Sequence, residues 1–239
     1  HEIVFLRGGQ GTTLLLLHGF AADKDNWTRL APHIGGFDLV IPDLPGHGLT
    51  TRVPEASYDI RSQVERLKGF HDELGLGVVH LAGNSMGGSI AAAYAATYPD
   101  DVDRLVLIDS GGVTSPEKSE LAAALEHGFN PLLVSDAADY DRLLSFVFVK
   151  PPWIPGAVKT HLAMQAVEHR EFHDKVWSDM GRRPLILEGL LADISAPTLN
   201  LWGAEDRVIH PSAAELFQAG IPNCRTEMMS ATGHLPMIE

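Results

Sequence analysis

Residues 78–88 read Val78-Val79-His80-Leu81-Ala82-Gly83-Asn84-Ser85-Met86-Gly87-Gly88. An apolar run, a turn of small residues around one serine, and an alanine-rich stretch follow one another without a gap. The run VVHLA is short and almost wholly apolar, as expected of a strand covered on both faces of a parallel sheet. Residues 86–98 include Ala91, Ala92, Ala93, Ala95 and Ala96 and read as one tightly packed helix. Between them, Gly83-Asn84-Ser85-Met86-Gly87 has the form G-x-S-x-G. In a strand–turn–helix context this pattern holds a serine in a sharp, strained turn, with small residues where strand and helix meet. The serine oxygen then projects above the sheet, near the positive end of the helix. Ser85 is the candidate nucleophile. The bland alternative is a glycine-rich turn that happens to contain a serine.

The same apolar pattern recurs on both sides of this unit. It appears at 12–17 (TTLLLL), 38–42 (DLVIP), 102–108 (VDRLVLI), 197–202 (PTLNLW) and, more weakly, 225–229. Helix-like stretches lie between: a short one at 27–33, and 60–74 with Ile60, Val64, Leu67, Phe70 and Leu74 at helical spacing. Strands alternating with helices predict an α/β fold, a mostly parallel sheet flanked by helices. The alternation stops after Asp109. From 112 to 193 the helical stretches 117–127, 138–146 and 158–176 dominate. Pro151, Pro152 and Pro155 punctuate them, since proline lacks the amide and fixes φ. Residues 146–149 are the one strand-like run there. The organisation expected is a core of residues 1–111 and 194–239, with residues 112–193 inserted as a helical cap or lid.

Composition narrows the function. A chain of 239 residues is long enough for one large domain with an insertion, and it needs no covalent staples. Its single cysteine, Cys224, excludes an intramolecular disulfide framework and a cysteine-built zinc site. A net charge of −13 repels phosphate backbones, so no nucleic-acid partner is expected. No apolar run approaches the ~20 residues that span a bilayer. Residues 1–7 read as the beginning of a strand. The expected location is cytoplasmic, with an upstream targeting or anchoring segment left open because position 1 is His rather than Met. Oligomeric state is not legible.

A serine nucleophile needs a base and an acid in reach. His234, in Thr232-Gly233-His234, follows the last apolar run, and sheets of this type place their sites in loops at the carboxyl ends of strands. The acid must orient the imidazole through its other nitrogen. Asp206, in Gly203-Ala204-Glu205-Asp206 just after PTLNLW, is preferred over Asp109, which ends VDRLVLI and reads more simply as a loop or helix cap. The order Ser, acid, His supports this assignment. Two backbone amides are expected to hold the developing oxyanion: Met86, after the nucleophile, and Phe20, in the loop His18-Gly19-Phe20 that follows TTLLLL.

Taken in order, His18-Gly19-Phe20, Asp43-Leu-Pro-Gly-His47-Gly48, Gly83-Asn-Ser-Met-Gly-Gly88, Gly203-Ala-Glu-Asp206 and Gly233-His234 make the chain resemble the α/β-hydrolase superfamily over essentially its whole length. Within it the chain is most similar to bacterial esterases and lipases and to monoacylglycerol-lipase-like serine hydrolases. The resemblance implies a triad of Ser85, Asp206 and His234, oxyanion donors at Phe20 and Met86, and a helical lid. An apolar cap and neutral catalytic loops suggest a small-molecule ester substrate, uncharged and of short to medium chain, and no metal or organic cofactor is expected. Two departures stand out. Thr50 occupies the position where the family loop Gly-His-Gly-x-Ser has serine, and the family pattern continues into a helix after its histidine whereas this sequence ends at Glu239.

The alternatives are a carbon–carbon bond hydrolase of ring-fission products, which shares Asn-Ser-Met-Gly-Gly, and a non-catalytic ligand-binding member of the fold. The first usually carries His-Gly-x-Gly-Pro-Gly-Ala and a tryptophan after the histidine; here the loop is His18-Gly-Phe-Ala-Ala-Asp and Leu235 follows His234. Dehalogenases and epoxide hydrolases need an aspartate where Ser85 stands. His169 and His173 share a helix face at a spacing that can bind zinc, but without a further ligand they read as a solvated face. Apolar residues of 143–164, among them Leu143, Phe146, Phe148, Trp153 and Met164, are expected to pack between cap and core, with some lining an acyl pocket.

Overall fold

The computed structural model describes residues 2–239. Its seven strands are β1 (Phe5–Gly9), β2 (Thr12–Leu17), β3 (Phe37–Pro42), β4 (Val79–Asn84), β5 (Val102–Ile108), β6 (Thr198–Gly203) and β7 (Cys224–Met229). They form one sheet in the order β1-β3-β2-β4-β5-β6-β7. Only β1 runs antiparallel, against β3; the other pairings are parallel. The first strand lies later than residues 1–7, and His1 falls outside the described residues. Residues 2–4 serve a loop instead: the Val4 amide donates to Thr50 Oγ1 (3.0 Å) and the Val4 carbonyl accepts from the Asp43 amide (2.8 Å).

The apolar run of β2 is covered on both faces. Leu15 and Leu17 join the larger core, with helices α1 (Ile60–Glu73), α2 (Met86–Thr97) and α6 (Ala213–Gly220). Leu14 and Leu16 join a second core on the other face, with Trp27, Ile41 and Met237. This is the two-residue period of a strand sandwiched between layers. Helix α1 starts where the Asp59 carboxylate accepts from the Ser62 amide (2.8 Å), and buries Ile60, Val64, Leu67 and Phe70 as their spacing predicts. Helix α2 is buried almost all round, which its run of alanines permits. The stretch 27–33 is not one helix. It forms two 3₁₀ turns, Lys24–Trp27 and Ala31–His33, because Pro32 interrupts the amide ladder.

Between β5 and β6 the chain runs through α3 (Glu120–Glu126), α4 (Ala137–Val147) and α5 (Gly156–Arg182), then two 3₁₀ turns at 187–189 and 191–193. Ser119 and Asp136 cap α3 and α4 by accepting from Ala122 and Asp139 amides. The strand-like run 146–149 is no strand. Its first two residues end α4, and the Val147 carbonyl then accepts from the His234 amide (2.8 Å). Helix α5 outruns its apolar pattern by six residues at the end. The last turn is held by Asp179, which pairs with Lys175 (2.7 Å) and accepts from the Tyr58 amide (3.2 Å). Among the described residues no helix is long and apolar enough to cross a membrane.

Candidate active site

Ser85 joins β4 to α2 with φ 56° and ψ −116°, a region that non-glycine residues rarely enter. Three hydrogen bonds keep it there. Its amide donates to the Ile108 carbonyl (3.0 Å), and its own carbonyl accepts from the Ser89 and Gly111 amides (3.0 and 3.1 Å). The flanking glycines are required by space. A Cβ on Gly83 would collide with the Gly87 carbonyl, and one on Gly87 would collide with the Leu17 and His18 carbonyls. The elbow is therefore locked to the ends of β2 and β5 by backbone contact.

His234 and Asp206 meet each other. The His234 Nδ1 donates to Asp206 Oδ2 at 2.8 Å, and both side chains are buried, Asp206 wholly. Asp206 Oδ1 accepts from the Val208 and Ile209 amides (2.8 and 3.2 Å). These amides fix the carboxylate's orientation and leave the other oxygen for the imidazole. With Nδ1 engaged, Nε2 is the nitrogen left for a proton acceptor's work. Asn84 ties the histidine loop to the elbow: its side-chain amide donates to the His234 carbonyl (3.1 Å) and to the Ile108 carbonyl (3.2 Å). A charge-assisted bond such as Asp206–His234 contributes about 1.5–3 kcal/mol to holding the arrangement.

Asp109 is not the cap that its sequence position suggests. It lies wholly buried with φ 45°, its amide donating to the Leu201 carbonyl (3.0 Å) and its Oδ1 accepting from the Gly203 amide (2.9 Å). Burial and the neighbouring Asp206 charge push its carboxyl well above the usual carboxylate range. One oxygen from each of Asp109 and Asp206 and one ring nitrogen of His234 lie within 4.8 Å of one another.

The two backbone amides singled out by the sequence, Phe20 and Met86, donate to no acceptor among the described residues. The loop bearing Phe20 presses on the elbow, since a Cβ on Gly19 would stand 3.3 Å from Ser85 Cβ. His18 fixes that loop. Its Nε2 accepts from the Leu44 amide (2.9 Å), so Nδ1 carries the proton and donates to the Gly19 carbonyl (2.8 Å). Burial pushes His18 down to about 4, so it is a neutral strut rather than a base.

Sequence reading treated the DLPGHG loop as a motif and missed how it works. Asp43 accepts from the Lys24 amide (2.8 Å), the Lys24 ammonium (3.0 Å) and the Leu49 amide (2.8 Å). Thr50, at the family's serine position, does what a serine would: its hydroxyl donates to the Asp43 carbonyl (2.7 Å) and accepts from Val4. The only sequence signal for these roles was a charged residue in an otherwise apolar stretch.

His173 corrects a second expectation. It does not sit on a solvated face with His169; it is buried and stacks on His47 at 5.4 Å. Phe20 meets both rings and Trp177 edge-on. Burial pushes His173 down to about 3 and His47 well below its usual value. Helix α5 thus rests on the loop that carries Phe20. On the other side, the Arg207 guanidinium donates to the Ser145 and Phe148 carbonyls and lies over the Phe146 ring. Phe148 and Val147 pack with Val208 and Leu235, whereas Trp153 and Met164 are exposed. A groove of about 470 Å³ opens between α4 and α5, lined by Ala137, Lys159, Ala163 and Val167 among others, and none of the site residues above lines it.

The pattern of the family described as alpha/beta hydrolase fold matches residues 12–156. Lipase 1 of Psychrobacter immobilis is 38% identical over 244 residues, a stretch covering 100% of this chain and 76% of that lipase. The monoacylglycerol lipase abhd6-A of Xenopus laevis is 33% identical over 249 residues, covering 97% of this chain and 72% of the relative. A crystal structure of a membrane phospholipase A, described as a bacterial virulence factor, superposes with a TM-score of 0.97 at 44% identity. That match covers 99% of this chain and 77% of the other.

Proposed function

The chain belongs to the α/β-hydrolase family, and from that premise we propose that it is a serine hydrolase of carboxylic esters with Ser85, Asp206 and His234 as its triad. Its likeness to lipases supports ester hydrolysis. The observation that carries the serine mechanism is the buried His234–Asp206 hydrogen bond of 2.8 Å, tied through Asn84 to the strained turn at Ser85.

In the reaction, Ser85 Oγ attacks the ester carbonyl while its proton passes to His234 Nε2. Asp206 stays ionised and stabilises the imidazolium through Nδ1–H. The carbonyl oxygen, now charged, is received by the Phe20 and Met86 amides. Each such donor is worth on the order of 2.7–4 kcal/mol of barrier. His234 gives its proton to the departing alcohol, leaving Ser85 acylated. Water, deprotonated by the same imidazole, then releases the acid and restores the serine. Residues 112–193 act as a cap, and the contacts of α5 with Phe20 and of Arg207 with α4 support that role. The substrate proposed is an uncharged ester of short to medium acyl chain, in keeping with an apolar cap and an acidic surface.

The test is steady-state hydrolysis of p-nitrophenyl esters from acetate to palmitate, with Ser85→Ala as the blank. Turnover that survives in Ser85→Ala would overturn the mechanism. The acid is tested by comparing Asp206→Asn with Asp109→Asn. A greater loss in the Asp109 variant would reverse the assignment.

A further inference from the structure

Asp109 presents an unresolved account of hydrogen bonds. Its Oδ1 is satisfied by the Gly203 amide at 2.9 Å. Its Oδ2 is buried and receives no donor. A buried acceptor without a donor is costly, more so if charged. The neighbourhood offers no cation to relieve it. The groups facing it are the Asp206 carboxylate, the His234 ring in the same cluster and the more remote Glu239 carboxylate, which the Gly233 amide already engages (2.8 Å). The chemically consistent solution is a carboxylic acid. Oδ2 carries the proton and donates it to Asp206, and the two carboxyls share one negative charge, as like groups forced together do. Asp109 is buried with a positive φ of 45°.

We propose that Asp109 is a positioning residue for the proposed serine hydrolase site: its carboxyl holds Asp206 against His234 through a carboxyl–carboxylate hydrogen bond, and it takes over as the imidazole's acid when Asp206 is removed. This rests on the triad reading above. Its geometry is the three-membered cluster, in which one oxygen of Asp109 and one ring nitrogen of His234 already lie within 4.8 Å of each other. While Asp206 is ionised, burial and its charge keep the Asp109 proton in place. Removing Asp206 takes away that charge while burial remains, so Asp109 ionises in that variant by pairing with the imidazolium.

The experiment is a double-mutant cycle on kcat/KM across pH, with Asp109→Asn, Asp206→Asn and the double variant. Asparagine replaces a protonated carboxyl with a donor of the same shape, so Asp109→Asn alone is expected to cost less than about tenfold. Asp206→Asn is expected to lose roughly 10²-fold, short of the ~10⁴ that loss of the acid costs in a triad without a reserve. Its remaining activity rises with pH along one added ionisation, that of Asp109. The double variant loses at least a further thirtyfold or so, and the added ionisation disappears. A structural role alone would give the same Asp109→Asn factor in both backgrounds and no added limb, and either result overturns the proposal. A second readout does not depend on activity or on the Asp206 variants. Infrared spectra of protein carrying ¹³C-labelled aspartate should show a protonated-acid carbonyl band at neutral pH in the wild type, and Asp109→Asn should lack it. Absence of that band in the wild type also overturns the proposal. Because the band reads the carboxyl pair directly, an inactive wild-type protein would count against the ester-hydrolase reading and not against the pair.

Discussion

The strand-end loops and the helical segment 112–193 lie against each other, yet they hold their shape by different means. At the strand ends, position is set by backbone. Ser85 is fixed by three main-chain hydrogen bonds, Asp206 by two amides, and Gly83 and Gly87 by carbonyls that leave no room for a side chain. In the helical segment, apart from a few backbone bonds such as the His234 amide to the Val147 carbonyl, position is set by side chains meeting side chains or single carbonyls: His173 on His47, Trp177 on Phe20, Arg207 on the end of α4. Backbone constraints tolerate few residue types, so they leave motifs. Side-chain packing accepts many combinations of similar volume, so it leaves only periodicity.

Removing chemistry from the rigid region should have the largest effect. Ser85→Ala is expected to lower kcat for a p-nitrophenyl ester by about 10⁴-fold or more with little change in Tm. A stable, active Ser85→Ala would break the comparison outright. Next comes the tie between loops. Asn84→Ala removes both side-chain donors and leaves the His234 carbonyl without its partner. It should cost roughly 10–10²-fold in kcat, with KM nearly unchanged, since a misplaced histidine affects the transition state more than binding.

The contact between the two regions should respond more gently. Arg207→Ala frees the end of α4 and is expected to raise KM severalfold for longer acyl chains while lowering stability by about 1 kcal/mol. A chain-length series separates this from loss of the Asp206 loop, which would reduce kcat for all chains alike. The histidines add a pH dependence. His18, His47 and His173 have folded-state pKa values depressed below their unfolded values by burial. The unfolded chain takes up protons first as pH falls, so their contribution is intact above about 6.5 and is lost progressively towards 3–4. Thermal melts should drop by roughly 5 °C or more between pH 7 and 4.5, and His173→Phe should flatten part of that slope. A melting temperature independent of pH over this window would contradict the buried, neutral cluster. The smallest effect is expected at the outer face of the helical segment, where Trp153 is 85% exposed: Trp153→Ser should change stability by no more than about 0.5 kcal/mol.

Legibility in the sequence followed the same division. The strands of the parallel sheet are short runs whose burial on two faces dictates apolar residues, and the turns that follow β4 and β6 carry Ser85 and Asp206, so these could be read position by position. Residues 146–149 read as a strand, because β-branched and aromatic residues carry that preference, yet Phe146 and Val147 end helix α4 and Phe148 leaves it. His173 looked solvated, because helical spacing identifies a face without saying what covers it. Thr50 looked like a departure from the family pattern, yet its hydroxyl serves the same two partners that a serine could.

The sequence by itself determined the α/β alternation and the strand–turn–helix at Ser85, and it singled out Asp206, His234 and the Phe20 and Met86 amides as candidates, since each depends on local spacing and on backbone geometry that few residues permit. The tertiary structure alone decided that Asp109 lies beside Asp206 with a buried oxygen lacking a donor, that three histidines are neutral struts, and that α5 rests on the Phe20 loop. Those outcomes depend on segments distant in the chain meeting in a place without water, where the state of a polar group is set by its neighbours rather than by its residue type.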